Sequence, residues 1–378
     1  MACMSNRERF HAVMQYRAVD RVPNYEVGIW PQTLARWEAE GCPVATHNWD
    51  WFTGDPAFEM DHREYIDVNY DMIPPFPYTV LERTEKYEVI QDEKGVVRRA
   101  LREGTISGGR ASMDTYLHWP VQDLASFEAL KTRFPTNLPE RYPDDWENRL
   151  APAWNSRDHV LVLGRNCSML GFYWRAREWM GTEMLSYAWY EQPELIEAMM
   201  EFIADFTIAV SRPILEKVQP DYIFINEDMA MKTGPLLSPA LYRKFIFPHM
   251  RRLVEFHKAM GVRYAIVDSD GNMGPLIPLL LDAGVDGIFP LERASEGNDP
   301  YATRKQYGKA LTLWGVVDKR ELAKDKAAID QHLMSLAPLL EEGGFFPMVD
   351  HTVPPDVSYA NFRHYMERKQ QLLQGVYF

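Results

Sequence analysis

The sequence predicts an α/β fold, namely a distorted (β/α)8 TIM barrel that carries an antiparallel β-insertion near its N-terminal third. The clearest support comes from residues 221–292, where three short apolar runs alternate with helical patterns. The runs Tyr222–Asn226, Tyr264–Val267 and Val285–Pro290 each lead into acidic residues. Short strands that alternate with helices are typical of a parallel sheet. Barrels of this kind keep their chemistry at the C-terminal ends of the strands.

Composition and charge exclude several classes of protein. The chain has 378 residues, which suits one barrel with insertions, and we expect a single domain over residues 1–378 with the insertion at about 41–120. A net charge of −13 argues against binding to nucleic acid or to an anionic membrane surface. The sequence has no apolar run of membrane-spanning length, no signal-peptide pattern and three scattered cysteines. We therefore expect a cytoplasmic protein.

The N-terminal region predicts one helix, one strand and a second helix. Ser5 and Glu8 form an S-x-x-E capping box, and apolar residues follow at helical spacing. Asn24–Trp30 is predicted to be the first barrel strand, from which Glu26 points. A second helix is predicted to begin at Pro31.

Residues 41–120 interrupt the alternation of strands and helices. Tyr78–Ile90 and Val96–Leu101 are rich in β-formers, and the turn residues Asp92–Gly95 lie between them. We interpret this region as an antiparallel insertion over the barrel mouth. Its role is either to cover the site from water or to support the structure alone.

From Asp123 onward the alternation is regular. Seven barrel strands are predicted in total, so the eighth is irregular or lies within the insertion. The predicted helices are Asp123–Arg133, 171–190, Pro193–Leu215, Pro239–Met260, Met273–Ala283, Tyr301–Tyr307, Arg320–Glu341 and Asp356–Leu373. The strands between them are Val160–Gly164, Tyr222–Asn226, Arg263–Val267, Val285–Phe289, Leu311–Val316 and Phe345–Val349.

Polar and charged side chains collect at the predicted strand ends. Strand ends of a barrel converge on one mouth, so the set predicts an active site, although single members also suit surface contacts and helix caps. The candidates are Glu26, Arg165, Asn166, Glu227, Asp228, Lys232, Asp268, Asp270, Asn272, Glu292, Asp318, Lys319, Asp350 and His351. We assign catalysis to Glu227, Asp228, Asp268, Asp270 and His351, and substrate binding to Glu26, Arg165, Asn166, Lys232, Asn272, Glu292, Asp318 and Asp350.

The segment from Asp268 to Asn272 is the most specific part of this set. Asp268 and Asp270 are two residues apart at a strand end, so their carboxylates share one side of the chain. Such a pair can hold a hard cation, share a proton, or bind a cationic or hydroxyl-rich substrate. Gly271 permits a sharp turn. The alternative is an Asx turn that caps the next helix, which we expect at Asn272.

His351 follows the last predicted strand. Its unperturbed pKa near neutrality suits proton transfer or metal ligation. If the strands converge, Asp268, Asp270 and His351 form a metal site with an open position. A lone histidine that ligates nothing is the alternative.

Other single residues carry alternatives of their own. Lys232 either contacts an anionic group or neutralises the neighbouring acids. Glu227 and Glu292 are candidates for a general acid, because burial among carboxylates raises a carboxyl pKa. Cys167, at the end of the second predicted strand, is interpreted as a packed residue rather than a nucleophile.

The chain contains 11 tryptophans, most of them in its first half. They are interpreted as core and loop packing. The alternative is an aromatic-lined pocket or a surface for a partner.

Four segments resemble the uroporphyrinogen decarboxylase superfamily. They read NRERFHAVMQYRAVDRVP, EDMAMKTGPLLSPALYRKFIFPHMRRLVEFHKAMGV, DSDGNMGPLIPLLLDAGVDGIFPLE and VDHTVPPDVSYANFRHYME. The resemblance covers most of the chain and is strongest from about residue 160 onward. It implies a distorted (β/α)8 barrel with its site at the C-terminal mouth.

The resemblance distinguishes between two branches of the superfamily. True uroporphyrinogen decarboxylases carry an RQAGR-type segment after the first strand, which holds substrate carboxylates. This chain reads NYEVGIWPQTLARW there, without paired arginines. A pocket lined with Asp and Glu would repel a porphyrinogen with eight carboxylates.

The other branch contains the cobalamin-dependent methyltransferases. Its thiol-methylating members have zinc ligands, His-x-Cys, where this chain has Asp268-Ser269-Asp270, and a further Cys near His351. Without those thiolates, the resemblance implies the demethylating partner. Such an enzyme binds a methoxylated aromatic or a methylated amine and presents the methyl group to a Co(I) corrinoid on a separate protein.

The preferred hypothesis is a corrinoid-dependent methyltransferase of the O-demethylase type. Glu227, Asp268, Asp270 or His351 would supply the acid or a metal ligand, with a corrinoid protein as partner and zinc as a further cofactor. A homodimer is compatible with the sequence. The second hypothesis is a decarboxylase of a small, less anionic substrate. The third is a non-catalytic barrel that binds a small molecule or a corrinoid protein.

Overall fold

The computed structural model describes residues 3–102, 114–164 and 170–378, together with the backbone of residues 105–106 and 109–110. In this part of the chain, the strands are β1 Arg63–Ile66, β2 Thr79–Arg83, β3 Tyr87–Gln91, β4 Val97–Leu101, β5 Thr105–Ile106, β6 Gly109–Arg110, β7 Thr115–His118, β8 Val160–Leu163, β9 Tyr222–Asn226, β10 Ala230–Met231, β11 Gly234–Pro235, β12 Tyr264–Asp268, β13 Gly287–Leu291, β14 Thr312–Val317 and β15 Phe345–Val349. The helices are α1 Asn6–Met14, α2 Pro31–Ala39, α3 Leu124–Lys131, α4 Ala151–Asn155, α5 Phe172–Met180, α6 Thr182–Glu191, α7 Pro193–Leu215, α8 Pro239–Leu241, α9 Phe247–Ala259, α10 Ile277–Asp282, α11 Pro300–Tyr307, α12 Lys319–Leu322, α13 Lys326–Ser335, α14 Ala337–Glu342 and α15 Tyr359–Leu373.

A seven-stranded parallel sheet organises the chain. Its strands lie in the order β1-β8-β9-β12-β13-β14-β15, and every neighbouring pair is parallel. All residues of β8, β14 and β15 are buried, because helices cover one face and side chains fill the other. The predicted α/β fold with a parallel sheet is confirmed. From Val160 onward, each predicted strand is found within a few residues of its predicted ends.

Helix α1 closes the N-terminal end of the sheet. Its predicted capping box forms, since the Ser5 hydroxyl accepts from the Glu8 N–H and the Glu8 carboxylate accepts from the Ser5 N–H. The ring of Phe10 is fully buried and lies 5.4 Å from Tyr222 and 5.5 Å from Phe346, measured between ring centroids. Tyr222 and Phe346 stand near the starts of their strands, so the interior of the sheet is filled at this end.

The segment Asn24–Trp30 is not a strand of the sheet, so that prediction is wrong. The first strand is β1 instead, which lies inside the predicted insertion. The carbonyl of Asn24 accepts from the N–H of Asp61 at 2.9 Å, and that of Gly28 accepts from Val353 at 2.9 Å. The segment therefore bonds to loops beside β1 and beyond β15, and its one parallel bridge joins Ile29 to Val353.

A buried ion pair holds this segment in place. The Glu26 carboxylate accepts from Lys369 Nζ at 2.6 Å, from the Tyr365 hydroxyl at 2.5 Å and from the Val349 N–H at 3.0 Å. The side chains of Glu26 and Lys369 are both fully buried. Lys369 also donates to the carbonyl of Tyr25 at 2.6 Å. The pair thus connects the segment to β15 and α15.

The predicted antiparallel insertion is present as a four-stranded sheet in the order β2-β3-β4-β7. The ion pair of Lys94 with Glu178 attaches this sheet to α5. The ring of Trp119 lies against Gly181, which follows the C-terminal end of α5. None of its described side chains lines the cavity at the ends of the parallel strands. The residues of the predicted insertion that do so belong to β1 and to the loop Trp49–Phe52.

Several predicted long helices are broken. The segment 171–190 forms α5 and α6, which meet at Gly181 with a φ of 76°. A Cβ atom at Gly181 would lie 2.4 Å from the Trp119 ring, so both the backbone conformation and the packing require glycine. The segment 320–341 falls into α12, α13 and α14. In the described part of the chain, no helix is long and apolar enough to cross a membrane.

Replacing Lys369 with methionine should strongly destabilise the protein, because it leaves the Glu26 carboxylate buried without its cation. We expect the free energy of unfolding in urea at pH 7 to fall by about 3–5 kcal/mol. Lys217→Met is the control, since Lys217 pairs with Glu147 at 2.6 Å where both side chains are about half exposed. That change should cost less than about 1 kcal/mol. Equal losses for the two variants would contradict a structural role for the buried pair.

Candidate active site

A cavity of about 390 Å³ lies among the ends of the parallel strands. Six of its lining residues are Trp, Tyr or Phe, and two of these, Trp49 and Trp51, are tryptophans. Most of the described tryptophans, such as Trp37, Trp154 and Trp314, are instead buried in the core, as the sequence predicts. The lining residues are Glu26, Val27, Gly28, Ile29, Trp49, Asp50, Trp51, Phe52, Arg63, Tyr65, Phe224, Asp268, Asp270, Phe289, Pro290, His351 and Thr352. Four of the predicted site residues therefore share one cavity, namely Glu26, Asp268, Asp270 and His351.

Asp268 ends β12 and presents its carboxyl to the cavity. Its backbone carbonyl accepts from the N–H groups of Glu227 at 2.7 Å and Asp228 at 3.2 Å, which fixes the strand end. Among the described residues, none forms a hydrogen bond with the Asp268 carboxyl group. Burial, followed by the nearby charges of Asp270 and Asp228, raises the pKa of Asp268 well above its usual value. The group is therefore suited to hold a proton and donate it.

Asp270 and His351 form a pair beside this acid. The distance from His351 Nε2 to Asp270 Oδ2 is 3.4 Å, and this contact raises the pKa of His351 despite its partial burial. The His351 ring also lies 6.2 Å from the ring of Trp30, which is 42% exposed. The positive charge of a protonated His351 compensates the carboxylate of Asp270 at the mouth.

The turn after Asp270 depends on Gly271. Its φ is 85°, and a Cβ atom there would lie 2.7 Å from the backbone of Ala230. The Glu292 carboxylate accepts from the Gly271 N–H at 3.2 Å and from Lys319 Nζ at 2.7 Å. Burial alone would raise the pKa of Glu292, but Lys319, Ser295 and the Gly271 N–H together hold it below its usual value. Glu292 is thus a carboxylate that supports the turn.

Glu227 lies at the end of β9 but turns away from the cavity. Its carboxylate accepts from the N–H groups of Phe172 at 3.0 Å and Tyr173 at 2.7 Å, at the first turn of α5. The side chain is completely buried, and this burial outweighs the N–H donors and raises its pKa to about 7. The neighbouring Asp228 pairs with Arg177 at 2.7 Å.

The remaining predicted residues that the structure describes lie outside the cavity. Asp350 is buried and accepts from the N–H groups of Arg293 at 2.7 Å and Lys319 at 3.1 Å, while burial raises its pKa to about 6. Asp318 caps α12 and pairs with Arg320. Asn272 forms the expected Asx turn with the Gly274 N–H, Lys232 is exposed, and Arg165, Asn166 and Cys167 lie outside the described residues.

Arg63 is a cavity residue that the sequence did not reveal. It is 3% exposed, and its guanidinium carbon lies 4.1 Å from the ring centroids of both Tyr25 and Phe52. Arg63 and Tyr65 alternate along β1 and face the cavity, whereas Glu64 points to the other face. The sequence contains this alternation, but a strand of four residues is too short to be predicted from it alone.

The predicted metal ligands at the mouth do not converge. In the described part of the chain, the His, Cys, Asp and Glu residues that bring three ligand atoms within 4.8 Å of one another are His62, Glu64 and His159, at the other end of the sheet. The mouth residues Asp268, Asp270 and His351 do not form such a group. As they are arranged, the three residues do not hold a zinc ion together, although Asp270 and His351 lie 3.4 Å apart.

The uroporphyrinogen decarboxylase (URO-D) family matches residues 177–372, which is more than half of the chain. The chain therefore belongs to this family. A methyltransferase from Methanosarcina mazei has a similar structure at 14% identity, with a TM-score of 0.57 over 97% of this chain and 99% of that chain. At this identity the similarity shows a shared fold.

A B12-independent methionine synthase from Shewanella sp. W3-18-1, solved in complex with selenomethionine, is more distant. It is 10% identical and aligns over 79% of this chain and 73% of that chain, with a TM-score of 0.33. No curated protein matches the chain.

The buried Glu227 predicts a pH dependence of stability. Because folding raises its pKa from 4.5 to about 7, its contribution is fully present below pH 4.5 and is lost as the pH rises through 7. We expect the free energy of unfolding of the wild type to fall by about 3 kcal/mol relative to Glu227→Gln between these limits. Urea unfolding between pH 5 and 8 follows the upper part of this change.

Glu292→Gln is the matched control for this measurement. Folding lowers the pKa of Glu292 in the wild type. The stability that the Glu292 carboxylate contributes is therefore present at neutral pH and is lost only as the pH falls below 4.5 toward the folded value. Relative to this variant, the wild type should show no loss of stability between pH 5 and 8. Identical pH profiles for the wild type and Glu227→Gln would contradict the assignment.

Proposed function

We propose that this protein transfers a methyl group from a small methoxyaromatic substrate to a Co(I) corrinoid carried by a partner protein. The observation that supports this proposal most directly is the Asp268 carboxyl, which lies in an aromatic-lined cavity with a raised pKa and no described hydrogen-bond partner. Cleavage of an aryl methyl ether needs an acid at the departing oxygen. The fold shared with the Methanosarcina mazei methyltransferase is compatible with this class of reaction.

Asp268 would act as the general acid. Its proton moves to the ether oxygen as the bond between that oxygen and the methyl carbon breaks, and the aromatic product leaves as a neutral phenol. The carboxylate that remains is reprotonated from solvent before the next turnover. When bound at the mouth, the corrinoid supplies the nucleophile that accepts the methyl group.

The aromatic walls would hold the substrate ring. Phe224 and Phe289 meet edge to face with ring centroids 5.2 Å apart, and Phe52 stacks on Tyr65. All four aromatic residues line the cavity, and aromatic rings favour stacked or edge-to-face contacts with one another. An aromatic ether inserted among them would leave its oxygen as the group that needs a polar partner.

Two exposed apolar side chains near the site would be available to a partner protein that carries the corrinoid. Trp30 and Met231 are large apolar side chains that remain 42% and 61% exposed. Trp30 lies beside His351, and the carbonyl of Met231 accepts from the Asn272 N–H at 2.9 Å. We expect a partner that presents the corrinoid to the cavity to contact these two side chains.

Replacing Asp268 with asparagine should lower kcat for methyl transfer by about 100- to 10,000-fold, because the amide retains the shape but cannot act as the acid. The assay follows the consumption of Co(I) cobalamin and the release of a phenol, with a panel of methoxyaromatics and methylamines as donors. The wild-type rate should fall as the pH rises through the pKa of Asp268. Asp282→Asn, at an exposed position on α10, is the control and should be fully active. Undiminished turnover by Asp268→Asn would refute the proposed role.

One observation favours decarboxylation of a small carboxylated substrate as the second candidate. The buried guanidinium of Arg63 faces the cavity between two aromatic rings and would pair with a single carboxylate. Release of CO₂ without consumption of Co(I) cobalamin would favour this reaction. Arg63→Met should then raise KM for the carboxylated substrate more than it lowers kcat.

A further inference from the structure

A second cluster of titratable side chains lies at the N-terminal end of the sheet, away from the cavity. His62 and His159 immediately precede β1 and β8, and Arg63 is paired in register with Val160. The two imidazole rings are therefore neighbours, with centroids 4.6 Å apart. Glu64 lies two residues after His62 and points to the same face of the strand.

We propose that His62, Glu64 and His159 bind a divalent transition-metal ion, with zinc as the expected metal. One ligand atom from each residue lies within 4.8 Å of the other two. A pair of imidazoles and one carboxylate is a common ligand set for such ions. The site is independent of the methyl-transfer proposal, because none of the three residues lines the cavity.

The hydrogen bond of His62 leaves one ring nitrogen available for a metal. Its Nδ1 lies 2.6 Å from the carbonyl oxygen of Thr53, which can only accept. Nδ1 therefore carries the proton, and Nε2 has a free lone pair. A backbone carbonyl that fixes the tautomer in this way is typical of metal-binding histidines.

Glu64 contacts His159 within the cluster and is also held by a contact from outside it. His159 Nε2 lies 2.8 Å from Glu64 Oε2, and the other carboxylate oxygen, Oε1, accepts from the indole N–H of Trp154 at 2.7 Å. A metal ion would replace the proton shared between His159 Nε2 and Glu64 Oε2. The indole contact would then hold the carboxylate as an outer ligand shell does.

Charge and exposure also suit a divalent cation. A divalent ion bound by two neutral imidazoles and one carboxylate gives a site with a net charge of +1. The nearby cation Arg157 is already held by Asp221 at 2.9 Å, and its guanidinium is almost fully buried. His62 is exposed, so water can reach the ion and complete its coordination. Imidazole ligands favour zinc, cobalt, nickel or copper over magnesium and calcium.

Such an ion would cross-link the edge of the sheet. β1 has four residues and pairs with β8 on one side only. Joining His62 and Glu64 to His159 would anchor this strand at its N-terminal end. Residues at this end of an α/β barrel usually serve stability, while those at the opposite end serve chemistry.

The test uses full-length protein without a histidine tag, freed of metal by a chelator and titrated with Co²⁺ and Zn²⁺. We expect one equivalent of metal to bind, and the bound Co²⁺ should show the visible absorption spectrum of an ion with a low coordination number. The melting temperature should rise by a few degrees in excess Zn²⁺. His62→Ala and His159→Ala should each weaken binding by at least about 100-fold, which exceeds the effect of losing an outer-shell partner.

His364→Ala is the matched control, because His364 pairs with Asp330 at 2.7 Å in the same kind of contact but has Arg368 beside it instead of a second histidine. It should bind both metals like the wild type. If a histidine variant fails to fold, Glu64→Gln tests the site, since its amide oxygen can still accept from Trp154. Binding that is absent in the wild type, or is unchanged in the His62, Glu64 and His159 variants, would overturn the proposal. Loss of binding in Asp268→Asn alone would instead place the metal at the cavity.

Discussion

The buried carboxylate of Glu26 is the constraint on which the site depends. A charge without access to water must be paired, and Glu26 meets this need through residues more than 320 positions away, on β15 and α15. Asn24–Trp30 is thereby fixed between the first and last strands of the sheet, although it forms no regular strand. Residues 26–29 of the same segment form one wall of the cavity. The interaction that stabilises the irregular edge of the fold thus also shapes the site.

Acidic residues at neighbouring strand ends serve different purposes. Asn226 and Asp268 are paired in register, so Glu227 begins the loop after β9 at the level where β12 ends. The Glu227 carboxylate caps the first turn of α5 by accepting from backbone N–H groups, whereas the carboxyl of Asp268 faces the cavity. Asp228 has a φ of 37°, and this backbone conformation turns the chain away at this point. Its carboxylate is held by Arg177. The Asp268 carboxyl thus remains at the cavity, while Glu227 and Asp228 hold the loops.

The sequence predicts the later strands well and the first part of the sheet poorly, for a physical reason. Phe345–Val349 was predicted to the residue, because a strand buried on both faces is a continuous apolar run. β1 reads Arg-Glu-Tyr-Ile, with charges on both faces, and resembles an edge of the insertion. Arg63 was missed for this reason. The contact between Glu64 and His159 joins residues 95 positions apart and follows only from the register of β1 with β8. Periodicity locates the end of a strand, but the turn that follows decides where a carboxylate points.

The charges around the cavity argue for a substrate with at most one negative charge. Four carboxyl side chains line the cavity, namely those of Glu26, Asp50, Asp268 and Asp270. Glu26 is neutralised by Lys369, and Asp270 is paired with His351. Asp268 is neutral wherever the pH lies below its raised pKa. Among the described residues of the buried wall, Arg63 is then the cation without a carboxylate partner, held between two aromatic rings. A site with this balance suits a neutral aromatic ether or a single carboxylate. Among the lining residues that the structure describes, a porphyrinogen with eight carboxylates would meet one arginine where it needs several, so family membership alone does not carry that substrate to this chain.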